Sequence, residues 1–263
     1  MPLIRGGPAS PGYVRLAGPG DSELSYLEFG LLNLSDGQSW ERALADQEAV
    51  LVVLSGRCDV AVGGTAWANI GGRAEVFDGK PAVVYAPPKS SLSVTGRGPV
   101  EVALCCSRAE RGGEPKLISP DQVAVRTAGR GTYRREIYDL ATPDNLTAQR
   151  ILVGETFNPP GLWSSYPPHK HDTEDLPAES KLEEVYHFRV KPRQGFGFQR
   201  VYGDGFDEGY AVQDRDTVII TKGFHPVGAA PGYELYYLWM LAGEKRVMHP
   251  REDPAHSWVQ EQA

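Results

Sequence analysis

Several features are scarce in this sequence, and each scarcity excludes a class of protein. The chain contains three cysteines among 263 residues, Cys58, Cys105 and Cys106, too few for the disulfide framework of a small secreted domain. Cys105 and Cys106 end the apolar run VEVALCC, so we expect buried thiols. No block of Lys or Arg occurs, and acidic residues outnumber basic ones by 34 to 27, which argues against a nucleic-acid partner.

Long apolar segments are also missing. No stretch reaches the ~20 apolar residues that a membrane-spanning helix needs. The start, MPLIRGGPASPG, has no apolar segment of the kind that a signal peptide carries. A hydrophobic share of 41% and a charged share of 23% are typical of globular proteins that do not enter membranes. We therefore expect a cytoplasmic location and no membrane partner.

Short apolar runs rich in valine are abundant instead. AVLVVLSGRCDVAVGG, PAVVYAPP and SLSVTG follow one another with Gly, Pro or Asp between them. This spacing is typical of antiparallel strands in a sandwich or barrel. One segment, SWERALADQEAV over residues 39–50, reads as a short helical turn.

The strand pattern lapses after residue 110 and then resumes in the same style, in RILVGETF, EEVYHFRV, GFGFQRVY and DTVIITKGFHP. The repetition predicts an all-β chain with two jelly-roll or β-barrel units in tandem. We place the predicted domains at residues 1–125 and 126–263.

Histidine is absent before residue 169 and occurs six times from there on, so any histidine chemistry lies in the second half. His169 and His171 are one residue apart and would point to the same side of an extended strand. Glu184 opens the strand-like segment EVYHFRV, where it shares a face with Tyr186. His225 follows a glycine in TKGFHP, and that glycine permits a tight turn that would bring the imidazole inward.

Three imidazoles and one carboxylate that converge inside a barrel would supply four ligands to a divalent first-row metal, and an octahedral ion would keep two positions open for substrate. Each feature alone has an ordinary alternative: a surface histidine pair, a hydrogen-bonded structural histidine, or a solvated acidic face. Their occurrence together on separate predicted strands of one half favours a metal site. His187, on the opposite face from Glu184, and His249 and His256, in a tail rich in Pro and Asp, are not included.

The order His-x-His, Glu, Gly-Phe-His-Pro is similar to the two metal motifs of the cupin superfamily. WSSYPPHKHD, LPAESKLEEVY, GFGFQRVY, GFHPV and YELYYLWMLAG resemble the 5-deoxy-glucuronate isomerase family of myo-inositol catabolism. The insertion DTEDLPAESKLE departs from ordinary cupin spacing and is part of that resemblance. The resemblance implies a bicupin related to 5-keto-4-deoxyuronate isomerase, whose ligand pattern maps onto His169, His171, Glu184 and His225. The first half, without histidine, resembles a degenerate cupin that binds no metal.

The resemblance further implies an aldose–ketose isomerase that converts 5-deoxy-glucuronate to 2-deoxy-5-keto-gluconate through a metal-stabilised enediolate. By analogy the metal is zinc, and manganese, iron or nickel would also accept these ligands. The reaction needs a group that carries a proton. Tyr186 and Tyr237 are our candidates, while Glu183 and a metal-bound water remain open alternatives.

A sugar acid substrate also needs a cation to hold its carboxylate, and a bidentate arginine suits that role best. Our candidate is Arg200, ahead of Lys170. If the strand GFGFQRVY turns Phe196 and Phe198 inward, Arg200 lies on the same face, because the three residues are two positions apart. A surface arginine on a solvated strand is the open alternative.

Two other functions fit the same ligands. A metal-dependent cupin oxygenase could use the open metal positions for oxygen, and a non-enzymatic cupin could bind sugar without turnover. In each case the expected partner is a small molecule. Exposed edge strands would also allow a homo-oligomer.

Overall fold

A computed structural model describes residues 3–260 of the protein. Within that range the chain forms 23 β-strands and three short 3-10 helices, and it contains no α-helix. The predicted all-β class is therefore confirmed. Among the same residues, no helix is both long and apolar enough to cross a membrane.

The first twelve strands and the first 3-10 helix lie before residue 130. They are β1 (Leu3–Ile4), β2 (Gly12–Ala17), β3 (Leu27–Leu34), β4 (Ser39–Leu44), β5 (Gln47–Ser55), β6 (Arg57–Val62), β7 (Thr65–Gly71), β8 (Val83–Ala86), β9 (Ser90–Gly96), β10 (Val100–Arg108), β11 (Lys116–Ile118), the 3-10 helix Pro120–Gln122 and β12 (Ala124–Ala128).

The remaining elements begin with a second 3-10 helix and end with a third. They are the 3-10 helix Gly131–Tyr133, β13 (Arg135–Ala141), β14 (Leu152–Asn158), β15 (Trp163–Ser164), β16 (His169–Lys170), β17 (Glu183–Lys191), β18 (Gly197–Gly203), β19 (Phe206–Val212), β20 (Thr217–Ile220), β21 (Val227–Ala229), β22 (Glu234–Ala242), β23 (Arg251–Glu252) and the 3-10 helix Ser257–Gln260.

The chain divides into two compact units. One contains Pro8–Ala124 and Asp139–Val153. The other contains the chain through Gly7, Val125–Tyr138 and everything from Gly154 onward. The division is therefore not a single cut along the sequence, because each unit takes segments from both sides of residue 125.

The unit with Pro8–Ala124 has a six-stranded sheet, β11-β8-β5-β10-β3-β2, and a four-stranded sheet, β4-β9-β6-β7. Its core joins the two sheets: Leu32 and Leu51 of the first pack in one cluster with Val60 and Leu92 of the second. Each of these side chains is at most 2% exposed, and fully burying such a side chain contributes roughly 1.5–3 kcal/mol. Aliphatic side chains thus fill the interior of this unit.

The three thiols belong to the same unit, where all are free and buried. Burial raises the pKa of Cys58 and of Cys106 to about 12, so both stay protonated and unreactive near neutral pH. The prediction of buried thiols is confirmed.

The unit with all six histidines has a seven-stranded sheet in the order β1-β20-β17-β22-β14-β13-β12. A four-stranded sheet, β15-β21-β18-β19, and the short pair β16-β23 accompany it. Phe188 and Leu235 of the large sheet form one core cluster with Val212 and Val227 of the small one. In β17 this core lies on the side of Tyr186 and Phe188, so the period-two pattern turns Glu184 to the same interior.

The predicted helical turn over residues 39–50 is wrong. Ser39–Leu44 is strand β4, paired with β9, and β5 begins at Gln47. Ala49 and Val50 are fully buried between neighbouring strands. Tertiary pairing of β-branched and aliphatic residues here outweighs the local helix preference of Glu, Arg, Ala and Leu.

Candidate metal centre

Four side chains meet in the interior of the histidine-containing unit. The ring nitrogens of His169, His171 and His225 lie within 4.8 Å of one another. Glu184 joins them, because its Oε2 lies 3.1 Å from His171 Nε2 and 3.3 Å from His225 Nε2. Residues from three separate parts of the chain therefore supply three nitrogens and one carboxylate at one point.

Local structure explains how each segment reaches that point. His169 lies in β16, which pairs with β23 through His169 and Glu252. Glu184 is in β17, and its backbone faces Leu241 of β22 on one side. His225 follows Gly223, whose φ of 86° lies in the left-handed region that glycine adopts without strain. The predicted glycine turn is present.

Backbone carbonyls fix the tautomers of two of the imidazoles. His171 Nδ1 donates to the carbonyl of Leu182 at 2.9 Å, and His225 Nδ1 donates to the carbonyl of Gly223 at 2.9 Å. A carbonyl only accepts, so Nδ1 carries the hydrogen and the neutral ring keeps a lone pair on Nε2. Hydrogen bonds of this kind orient histidines that ligate metals.

The Nε2 lone pairs face the Glu184 carboxylate, so acceptor atoms of both kinds lie next to one another. His225 is fully buried, and its Nε2 makes no hydrogen bond with any residue of the described chain. Buried polar atoms are normally paired, and a bound cation would satisfy these acceptors together. The geometry of the donor set therefore fits a metal ion.

The electrostatics of the cluster agree with this interpretation. Burial would raise the pKa of Glu184, but the adjacent imidazoles of His171 and His225 outweigh it and lower that pKa to about 2. Against the effect of burial, the carboxylate in turn raises the pKa of His171. Burial lowers the pKa of His169 well below its usual value, and the neighbouring His225 and His171 lower it further. The site thus holds an ionised carboxylate beside a neutral imidazole, which are the protonation states that a divalent cation requires.

The loop between His171 and Glu184 is held by a charged network. Buried Glu179 accepts the backbone N–H groups of Asp172 and Thr173 at 2.9 Å, and Lys170 Nζ at 2.8 Å. Lys170 also pairs with Asp172, whose other oxygen accepts the N–H of Gly223 at 2.7 Å. Because the carbonyl of Gly223 accepts the hydrogen bond of the His225 ring, this network connects the loop to the four-residue cluster.

Two predicted tyrosines lie in the same interior. The Tyr186 hydroxyl is 3.0 Å from Ser165 Oγ, and the Tyr237 hydroxyl is 2.8 Å from Ser164 Oγ. Their ring centroids are 4.4 Å apart, and the ring of Tyr186 is 6.2 Å from that of His225. Burial and the charge of Glu184 raise the pKa of Tyr186 well above its usual value, so its hydroxyl keeps its proton at neutral pH.

The strand that carries Arg200 does not turn its aromatic residues inward. Phe196 and Phe198 are 48% and 42% exposed, so the inward face of β18 is formed by Gly197, Gln199 and Val201. The Arg200 guanidinium donates to both oxygens of Asp207 at 2.8 and 2.7 Å and stacks over a neighbouring tyrosine ring. The condition that Phe196 and Phe198 turn inward is therefore not met, and the role of Arg200 as the carboxylate ligand stays a prediction.

A cavity of about 430 Å³ opens beside the cluster, next to the prolines that precede His169 and follow His225. Its walls are formed by Thr132, Tyr133, Trp163, Tyr166, Pro168, Arg200, Pro226, His256 and Val259. His256, which the sequence analysis did not include, thus lines the cavity.

Sequence reasoning also missed Arg135, Ser164 and Ser165. Arg135 begins β13 and donates to the carbonyls of Tyr133 and Tyr166, at 3.2 and 3.4 Å. The available signal was that Arg135 lies two residues before the apolar Ile137 and so shares its face of the strand. That spacing does not show which strand lies next to β13.

Comparisons with known proteins give the relationships of the chain. It is 40% identical over 257 residues to the 5-deoxy-glucuronate isomerase of Geobacillus thermodenitrificans, covering 97% of this chain and 93% of that protein. It is 41% identical to the protein of the same name from Geobacillus kaustophilus, over 90% and 86% of the two chains. These relatives confirm the predicted family and the prediction that the protein is an isomerase.

Solved structures give the fold. An IolB-like protein of Salmonella typhimurium superposes with a TM-score of 0.94 at 32% identity, over 99% of both chains. An oxalate decarboxylase of Lactobacillus farciminis superposes with a TM-score of 0.63 at 13% identity, over 90% and 82%, and shares the fold alone. The predicted bicupin fold is confirmed. The KduI/IolB family model matches residues 9–259, and the chain therefore belongs to the KduI/IolB family.

Proposed function

We propose that the protein converts 5-deoxy-D-glucuronate to 2-deoxy-5-keto-D-gluconate in myo-inositol catabolism, as a metal-dependent aldose–ketose isomerase. The observation that carries the proposal is the similarity, at about 40% identity over nearly the whole chain, to relatives named for that reaction. The cluster of His169, His171, His225 and Glu184 supports it, because an isomerisation of this kind needs stabilisation of negative charge on oxygen.

We propose His169, His171, Glu184 and His225 as the ligands of a divalent metal ion. Zinc is our first choice, and manganese, iron and nickel accept the same nitrogen and oxygen donors. When bound, such an ion acts as a Lewis acid toward substrate oxygens. Between His171 and Glu184, the network around Glu179 keeps the ligand-bearing segments in fixed positions.

The reaction moves one proton between two carbons and one between two oxygens. In the proposed sequence, a base in the site, for which Glu183 and a water molecule are the candidates, takes the proton from C2 of the sugar. An enediolate forms, and the protonated base then gives a proton to C1. We assign the oxygen protons to Tyr186: its hydroxyl gives a proton to the aldehyde oxygen and recovers one from the neighbouring hydroxyl. Its protonated state, its contact with Ser165 and its place on the Glu184 face support the assignment. The ring of Tyr237, whose hydroxyl contacts Ser164, packs against the ring of Tyr186.

Incubation of the zinc-loaded protein with 5-deoxy-D-glucuronate in deuterated water, without oxygen, tests the reaction. We expect a ketose product with deuterium in its new hydroxymethyl group, because the proton added at C1 exchanges with solvent. The product is identified by NMR and mass spectrometry. Turnover only in the presence of oxygen would instead indicate an oxygenase, and binding without turnover would indicate a sugar-binding cupin.

Substitution Tyr186→Phe is expected to lower kcat by about 100-fold, the lower end of the range for loss of a general acid or base, with a much smaller change in KM. The matched control is Tyr236→Phe, which removes a buried hydroxyl from β22 that bonds to Glu155. Tyr236→Phe should leave kcat unchanged. An unaltered kcat in Tyr186→Phe would remove this residue from the mechanism.

A further inference from the structure

The guanidinium group of Arg135 faces the interior of the histidine-containing unit. In β13, Arg135 lies on the same side of the strand as Ile137, which is 8% exposed. The exposed Glu136 between them lies on the opposite side. Tyr138 has the opposite orientation, because its ring packs on Phe157. Arg135 therefore lies on the inner face of the strand.

The hydrogen bonds of Arg135 leave part of its guanidinium unused. One terminal nitrogen donates to two backbone carbonyls, those of Tyr133 and Tyr166. The Nε–H is buried and makes no hydrogen bond within the described chain, where no carboxylate forms an ion pair with this arginine either. A buried donor without a partner is costly, and more so when it is charged, so the site is incomplete without an anionic acceptor.

The position of Arg135 relates it to the reaction site. Tyr133 and Tyr166, whose carbonyls it contacts, both line the cavity beside the metal cluster.

We infer that Arg135 binds the carboxylate of the sugar acid, an inference that rests on the proposed function and specifies how the substrate is recognised. An arginine offers two parallel N–H donors that match a carboxylate. The other two candidate cations are already paired, Lys170 with Asp172 and Glu179, and Arg200 with both oxygens of Asp207. The metal cluster would then hold the reacting end of the sugar, and Arg135 its charged end.

The test is calorimetric titration of the zinc-loaded protein with D-glucuronate and with D-glucose, which differ by the carboxylate. We expect the wild type to prefer D-glucuronate by about 100-fold, the effect expected of a buried charged pair, and Arg135→Gln to bind both sugars equally weakly. Arg135→Lys keeps the charge without the paired donors and should retain part of the preference. Arg134→Gln, in the exposed neighbour, is the matched control and should equal the wild type.

Several results would overturn the inference: a preference retained in Arg135→Gln, no preference in the wild type, or a preference lost in Arg200→Gln instead. Circular dichroism and melting curves establish that the variants are folded. Turnover of 5-deoxy-D-glucuronate, measured on the same samples, separates this inference from the proposed function. A wild type that binds through Arg135 without turnover contradicts only the function, whereas turnover with unchanged kcat and KM in Arg135→Gln contradicts only the role of Arg135.

Discussion

Substitution His225→Ala is expected to remove the bound metal and to lower isomerase activity by on the order of 10³-fold or more. Loss of a residue that only hydrogen-bonds to a metal ligand already costs about 10–100-fold. His225 is fully buried, and its Nε2 lies 3.3 Å from Glu184 Oε2. Its removal leaves two imidazoles and one carboxylate and opens the ligand set on one side. Metal content after dialysis, measured by elemental analysis, and turnover on the same samples report the two losses.

His249→Ala is the matched control, because His249 is exposed and its contacts with Ser180 use backbone atoms of His249. It should keep one metal per chain and full activity. A chelator should lower the melting temperature of the wild type and of His249→Ala but not that of His225→Ala; a ligand present at 100 times its Kd stabilises the folded state by about 2.7 kcal/mol. Equal metal content in all three proteins would show that the cluster is not the metal site.

Local sequence patterns were sufficient to predict that the four cluster residues converge. Three local features carried this prediction: the His-x-His spacing, the two-residue separation of Glu184 from Tyr186, and the glycine before His225. Each depends on the backbone conformation of a few neighbouring residues, which the local sequence determines. Strand pairing then brings these segments together, because Glu184 lies in β17 and the turn before His225 follows β20, its neighbour in the sheet. The all-β class followed from the same kind of local periodicity.

The orientation of Arg200 could not be derived in this way. Alternation in GFGFQRVY shows which residues share a face but not which face is inside, and aromatic side chains suggested the wrong one. In the structure Gly197 lies against Leu235, where an added Cβ would come within 2.6 Å of that side chain. Close approach of β18 to the core thus requires the glycine inside and places Phe198 outside. The deciding contact comes from a strand distant in sequence.

The position of Arg135 near the cluster could not be derived from local sequence either. Its sequence neighbourhood, TYRREIYDL, reads as a charged connector, and nothing in it indicates proximity to residues in β16 or β22. Only the strand order, in which β13 follows β14 and β22, brings it to the same interior. Local patterns therefore predicted the residues of the cluster, whereas the residue that we assign to substrate recognition depends on sheet topology.

Substitution Glu48→Gln is expected to cause the largest loss of stability, about 4 kcal/mol, because a buried carboxylate with every acceptor position in use would be replaced. Glu48 is fully buried. Its Oε1 accepts the N–H groups of Arg150 and Ile151 at 2.7 and 3.0 Å, and its Oε2 accepts the N–H of Gln149 at 2.8 Å and the hydroxyl of Tyr85 at 2.9 Å. In glutamine an amide nitrogen would face two donors, so donors would oppose donors inside the protein.

Scanning calorimetry measures the effect as a fall in the melting temperature of roughly 10 °C or more. Tyr85→Phe is the graded control: it removes one of the four donors and leaves the carboxylate with three, so we expect a loss of about 1 kcal/mol. The deciding comparison is the stability of the two variants: Glu48→Gln should be less stable than Tyr85→Phe. If Glu48→Gln were as stable as Tyr85→Phe, the backbone N–H groups of residues 149–151 would not depend on this carboxylate, and the segment that follows β13 would be held by apolar packing instead.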